Sequence, residues 1–240
     1  MNNVNASHTR KELTVLSGVS VVILSYVLAA LVSSYFVIID LIGADAGTFI
    51  FRTLLLASVF SIAYFWFGRR LIEIVGINFP AYRYLVFGGV LVLAFFPIDL
   101  VAQTGYLERL ISQHADSQSL AQLLEKYMVN WQWKQNNFAV LICGAILIGP
   151  VGEEICFRGV LQQALKKSRL GQVGAIIVVS IFWTADHYGF SGGVGLIATF
   201  LFGCLLGYMR EKSRSIAPSV MMHMLINSLW LATWAGKLYQ

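Results

Sequence analysis

Between Glu12 and Asp40 the chain carries no charged residue, a run longer than the roughly 20 residues an α-helix needs to cross a hydrocarbon layer about 30 Å thick. In lipid every backbone N–H and C=O must find its partner within the protein, so only helices and closed barrels span the layer. A continuous apolar run of this length specifies a helix, because a barrel strand is about 10 residues of alternating character. The polar tail before it is short, and the run lacks the small-residue cleavage site of a signal peptide, so it is expected to remain as a first membrane span.

The same criterion places further spans at 47–67, 84–103, 137–163, 170–189, 192–209 and 216–236. The expected architecture is all-α and polytopic, with about seven transmembrane helices. Composition agrees: 58% of the residues are hydrophobic and 12% charged, and mean hydropathy is +0.71, where a soluble domain has about a quarter of its residues charged. This excludes a soluble enzyme and a disordered regulator. The net charge of +5 does not mark a nucleic-acid partner, since basic residues in an apolar chain collect in cytoplasmic membrane loops. Arg52 lies near the end of its span, where its side chain is expected to snorkel toward the headgroups. Pro97 and Asp99 are expected to kink the third span or to be partly buried against protein.

Basic residues fall in alternate loops: Arg10 and Lys11, then Arg69, Arg70 and Arg83, then Lys166, Lys167 and Arg169, then Arg210, Lys212 and Arg214. By the positive-inside rule the N terminus is expected in the cytoplasm and the C terminus outside. The one long polar segment, 104–136, contains Leu120, Leu123, Leu124, Tyr127 and Met128 at helical spacing and reads as an amphipathic helix on the outer interface, anchored by Trp131 and Trp133. Cys143, Cys156 and Cys204 all sit in apolar runs and read as small core hydrophobes, with neither a disulfide framework nor a CxxC metal site.

One stretch breaks the pattern. Gly149-Pro150-Val151-Gly152-Glu153-Glu154-Ile155-Cys156-Phe157-Arg158 puts two carboxyls and a guanidinium inside the fourth span. A charge at mid-bilayer costs from about 3 to over 10 kcal/mol, so these groups must face protein or water and have partners. Glu154 and Arg158 are four apart, with Gln162 a turn further on the same stripe, and form the expected ion pair. Glu153 points about 100° away and is left free for chemistry; a carboxyl among burial, a second acid and a guanidinium can act as a general base near neutral pH. Gly149, Pro150 and Gly152 would let a helix begin or kink just before it.

Two later spans carry histidines. His187 ends the fifth, beside Asp186, which could orient it or face the interface. His223 and Asn227 are spaced to project from one face of the last. A free Glu, two His and an Asn are the parts of a hydrolytic site: Glu takes a proton from water, His holds that water or supplies a proton, and a His/Asn pair donates to an oxyanion. No cofactor is demanded. Zinc held by Glu153, His187 and His223 is chemically admissible, two imidazoles and a carboxylate being a known catalytic set, although HExxH is absent and spacing does not require it.

The order Glu153-Glu154-x-x-x-Arg158, then Trp183 four residues before His187, then His223-x-x-x-Asn227 resembles the three motifs of the CPBP family of intramembrane proteases, which includes CAAX prenyl endopeptidases, bacteriocin self-immunity proteins and myxosortases. The resemblance covers about 100 residues of this chain and divides it into N-terminal helices with the interfacial segment, 1–136, and a catalytic helical core, 137–240. It implies peptide-bond hydrolysis in which Glu153 and His187 activate water, His223 and Asn227 form the oxyanion hole, and Glu154 and Arg158 shape the site. The second motif usually begins with Phe, where this chain has Trp183, which puts the packing beside His187 in question. The implied partners are a membrane-embedded protein or peptide substrate and the bilayer, with no nucleic acid. Two other readings stand beside it: a non-enzymatic bacteriocin-immunity or scaffold protein in which the buried Glu/Arg pair is structural, and an ion or proton transporter, which the absence of an internal repeat disfavours.

Overall fold

The structure, a computed structural model, describes residues 13–38, 44–78, 82–103, 142–188 and 193–238. Among them the chain forms eight helices and no strand: α1 (Val15–Ile38), α2 (Ala44–Phe67), α3 (Arg70–Val75), α4 (Tyr82–Gln103), a continuous rod α5 over 142–165, α6 (Gly171–Asp186), α7 (Val194–Ser213) and α8 (Ala217–Leu238). Seven coincide with the expected spans. The eighth, α3, is a short helix in the loop after the second span, closed by Gly76 at φ +71. Three segments, Val15–Val32, Tyr82–Gln103 and Val194–Ser213, are long and apolar enough to cross a membrane by length and composition, and Phe51–Phe67 and Gly171–Asp186 are apolar but shorter. The interfacial segment expected within 104–136, Trp131 and Trp133 included, lies outside the described residues, as do Arg10 and Lys11.

Large apolar side chains lie on the outside of the bundle as well as within it: Leu31, Phe65, Val86, Leu93, Ile181 and Ile197 are all exposed. A water-facing surface would not carry so many exposed large apolar side chains on several helices, and a lipid-facing one must. Helix association in lipid depends on close packing over small residues, because apolar contact alone gains nothing against lipid tails. Accordingly α5 is wrapped by α1, α2, α3, α6, α7 and α8, with α4 packed behind α7 and α8. At Gly152 of α5 an added Cβ would lie 3.3 Å from the Leu56 Cβ and 3.5 Å from its Cα, so α2 rides directly on the rod.

α5 is not a uniform helix. π-helical segments Ile142–Ile148 and Ile155–Leu161 flank the α-helical Gly149–Glu154. Such wide turns tend to occur at functional sites. An α-helical segment does begin just before Glu153, at Gly149 with Pro150 in its first turn, within a chain that stays helical on both sides. Pro150 has no N–H to give to the preceding turn. The carbonyl of Ala145, five residues before it, instead accepts from Asn227 Nδ2 of α8 at 2.7 Å.

Candidate active site

The stripe Glu154, Arg158, Gln162 on α5 closes onto a second stripe, Gly203, Gly207, Glu211, on α7. Arg158 Nη1 donates to Glu154 Oε1 at 3.0 Å, and its Nη2 donates to the Gly203 carbonyl at 3.3 Å. Gln162 Nε2 donates to the Gly207 carbonyl at 3.1 Å and to Glu211 Oε1 at 3.0 Å, and Glu211 also takes Gln163 and Lys166. Glu154 and Arg158 are both 0% exposed, so the pairing expected from their spacing holds and is fully desolvated. Such a pair fixes packing more than it adds net stability, because desolvation consumes most of the Coulombic gain.

Glu154 has a second partner that spacing did not reveal. His223 Nδ1 lies 3.1 Å from Glu154 Oε1, so the carboxylate bridges the guanidinium of its own helix and an imidazole of α8. A carboxylate can only accept, so this contact puts a proton on Nδ1. His223 Nε2 then faces the neighbouring acid, 3.9 Å from Glu153 Oε2.

Glu153 points away from the Arg158 stripe, as its position in the helix requires, into a space bounded by α6 and α8. His187, the residue that ends α6, places Nε2 3.8 Å from the same Glu153 Oε2. Its Nδ1 lies 2.8 Å from the carbonyl of Trp183, an acceptor only, which puts a proton on Nδ1. Asp186, the residue before it, accepts from Tyr26 OH of α1 through Oδ2 at 3.3 Å.

Trp183 occupies the middle of this arrangement. Its Nε1–H donates to Glu153 Oε2 at 3.0 Å, and its ring lies 4.3 Å from the His187 ring, 5.4 Å from the His223 ring and 4.7 Å below the Arg158 guanidinium. The indole donor was not anticipated; the signal was there in a Trp standing where the motif usually has Phe. Gly203 makes room for it, since a Cβ there would come within 3.1 Å of Trp183 Cε3.

Glu153, Glu154, Arg158, His187 and His223 thus converge from α5, α6 and α8. Asn227 lies one turn beyond His223, with one amide N–H given to Ala145 and a second hydrogen that the amide still carries. Arg52 departs from expectation: it does not snorkel but donates from Nη1 to the Gly144 carbonyl of α5 at 3.3 Å. Cys156 is buried as expected, whereas Cys143 is exposed. Among the described residues no group of three or more His, Cys, Asp and Glu is arranged to hold a metal ion. The conditional set Glu153, His187, His223 gathers around one oxygen without forming such a group.

Contacts of 3.8 and 3.9 Å between polar atoms are too long for hydrogen bonds. A water approaching from the side can reach both the Glu153 carboxylate and an imidazole.

Residues 135–229 match the family model described as Type II CAAX prenyl endopeptidase Rce1-like. No curated protein and no solved structure matches the chain.

Proposed function

We propose, from the match of residues 135–229 to the Rce1-like family model, that the chain is an integral-membrane endopeptidase that hydrolyses its substrate with water activated by Glu153. The observation that carries this reading is the convergence of His187 Nε2 and His223 Nε2 on Glu153 Oε2, at 3.8 and 3.9 Å, with both Nδ1 atoms bound elsewhere. Water held beside Glu153 and His187 gives one proton to the Glu153 carboxylate as its oxygen attacks the scissile carbonyl carbon. The negative charge that develops on the carbonyl oxygen is met by His223 and by the second amide hydrogen of Asn227. To donate from Nε2 while Nδ1 donates to Glu154, His223 must carry both protons, and the two flanking carboxylates supply its counter-charge. Collapse of the intermediate breaks the C–N bond, and the proton taken by Glu153 passes to the departing amine. Glu154 and Arg158 hold His223 in place and do not touch the substrate.

The substrate is a membrane-anchored or C-terminally sorted peptide. The positive-inside orientation puts His187 toward the outer face of a bacterial inner membrane with the N terminus in the cytoplasm, which favours an exported, C-terminally anchored substrate over a cytoplasmic prenylated tail. Comparing the membrane proteomes of wild-type and Glu153→Gln cells tests the proposal. A precursor should accumulate in the variant at unchanged levels of the protein itself; normal processing would return the chain to the immunity or scaffold reading.

A further inference from the structure

The geometry points to Trp183 as the positioning residue of the general base, an inference that rests on the peptidase reading above. Two polar atoms of this one residue set the two groups that hold the water. Its carbonyl accepts from His187 Nδ1 at 2.8 Å, and its indole N–H donates to Glu153 Oε2 at 3.0 Å. The carbonyl contact is backbone and would survive any side chain at this position. The indole contact is peculiar to Trp: a Phe keeps the aromatic packing and removes the donor.

That donor makes the one hydrogen bond to Glu153 among the described residues, since both imidazoles stand at 3.8 Å or more. Without it the carboxylate could rotate about its terminal torsion, which is broad and poorly confined by intrinsic preference. With it, Oε2 is pinned on the side of the histidines and the plane of the carboxylate is set. The indole is held in turn: it is 3% exposed, stacked under the Arg158 guanidinium and bordered by Gly203. The same Arg158 that pairs with Glu154 therefore fixes the ring that orients Glu153, so the ion pair reaches the base through Trp183 without contacting it. A departure from the usual motif thus adds a hydrogen bond that the Phe version of the site cannot make.

The test uses the full chain in detergent micelles, labelled with nitrogen-15 in the indoles of its six tryptophans. The N–H cross-peak missing from Trp183→Phe identifies Trp183. In Glu153→Gln that peak should shift while the other five stay, because a charged acceptor has been replaced by a neutral one; an unmoved peak overturns the inference, whatever the protein hydrolyses. The functional arm replaces Trp183 by benzothienylalanine, which keeps the fused ring and deletes the N–H. Processing of the precursor that accumulates in Glu153→Gln membranes should fall about ten-fold or more, the scale of one lost hydrogen bond to a charged group, with kcat reduced and KM little changed. An unchanged kcat overturns the positioning role alone. Normal processing by Glu153→Gln in the same assay overturns the peptidase reading and this role with it.

Discussion

Nδ1 of His223 lies 3.1 Å from Oε1 of Glu154, the oxygen that also receives Arg158. The second glutamate of the pair is therefore the hinge between a structural stripe on α5 and the chemistry on α8. Removing it should be felt in both places.

Glu154→Leu leaves Arg158 fully buried without its counter-ion. Breaking one side of a buried pair costs about 3–5 kcal/mol, whereas replacing both partners by apolar residues can be close to neutral. The single variant should melt markedly lower in detergent, and Glu154→Leu with Arg158→Leu should recover most of the loss while staying inactive, since His223 would still lack its partner. Thermal melts followed by circular dichroism decide this; equal melting of the single and double variants would contradict the pairing.

Glu153 and its two histidines are expected to work on water. Incubating the purified protein with a strong chelator should leave processing of the accumulated precursor unchanged. Loss of activity restored by added zinc would instead assign Glu153, His187 and His223 as ligands, with the metal acting as the Lewis acid.

Gly203→Ala places a Cβ 3.1 Å from the Trp183 ring and 3.2 Å from Ser180. Overpacking of this kind costs about 1–3 kcal/mol and pushes the indole away from Glu153. Activity should fall together with melting temperature. Gly89→Ala, where nothing lies within 4 Å of the new Cβ, provides the control and should be neutral or gain up to about 1 kcal/mol from helix propensity.

Asp99 is buried in α4, and accepts from Trp230 Nε1 at 2.8 Å and from Gln103 Nε2 at 3.1 Å. Asp99→Leu should lower stability by about 1–3 kcal/mol through the loss of the acceptor for Trp230 Nε1, Gln103 Nε2 keeping the Gly195 carbonyl and Thr199 Oγ1, and Asp99→Asn by less, because its carbonyl can still accept. Chemical denaturation of the two variants in the same detergent measures the difference, and an equal loss would mean that the carboxylate's charge, not its acceptor capacity, is what the site uses.

Much of this could be read from spacing because lipid makes charge rare and its exceptions legible. Glu154 with Arg158 and Gln162 is such a case, since an i, i+4 stripe stays on one face whatever it packs against. The other half of the zip, Gly203 and Gly207 on α7, was not visible: backbone carbonyls are offered by every residue, and only close approach selects which are used. The roles of Trp183 and Arg52 were missed for a related reason. An indole N–H or a guanidinium on a helix says that a partner is needed, but the partner is set by the crossing of α6 or α2 over α5. His187 was legible as a candidate, but its Nδ1 partner, the Trp183 carbonyl four residues back, is a backbone group that no residue identity signals; adjacent Asp186 diverges from it by about 100°. The π segments of α5 had no sequence signal beyond Pro150 and the nearby glycines.

Those π segments make the rod a phase adjuster. Each wide turn sets the angular offset between the residues on its N-terminal side and those on its C-terminal side, so the glutamates can face α6 and α8 while Gln162 and Gln163 still face Glu211. Taking one residue out of Ile155–Leu161 would tighten that turn and rotate the far end of the rod by about 100°. The acids would keep their neighbours, but the lower half of the bundle would lose its register with α7. Length between Glu154 and Gln162 is therefore as constrained as the identity of either residue.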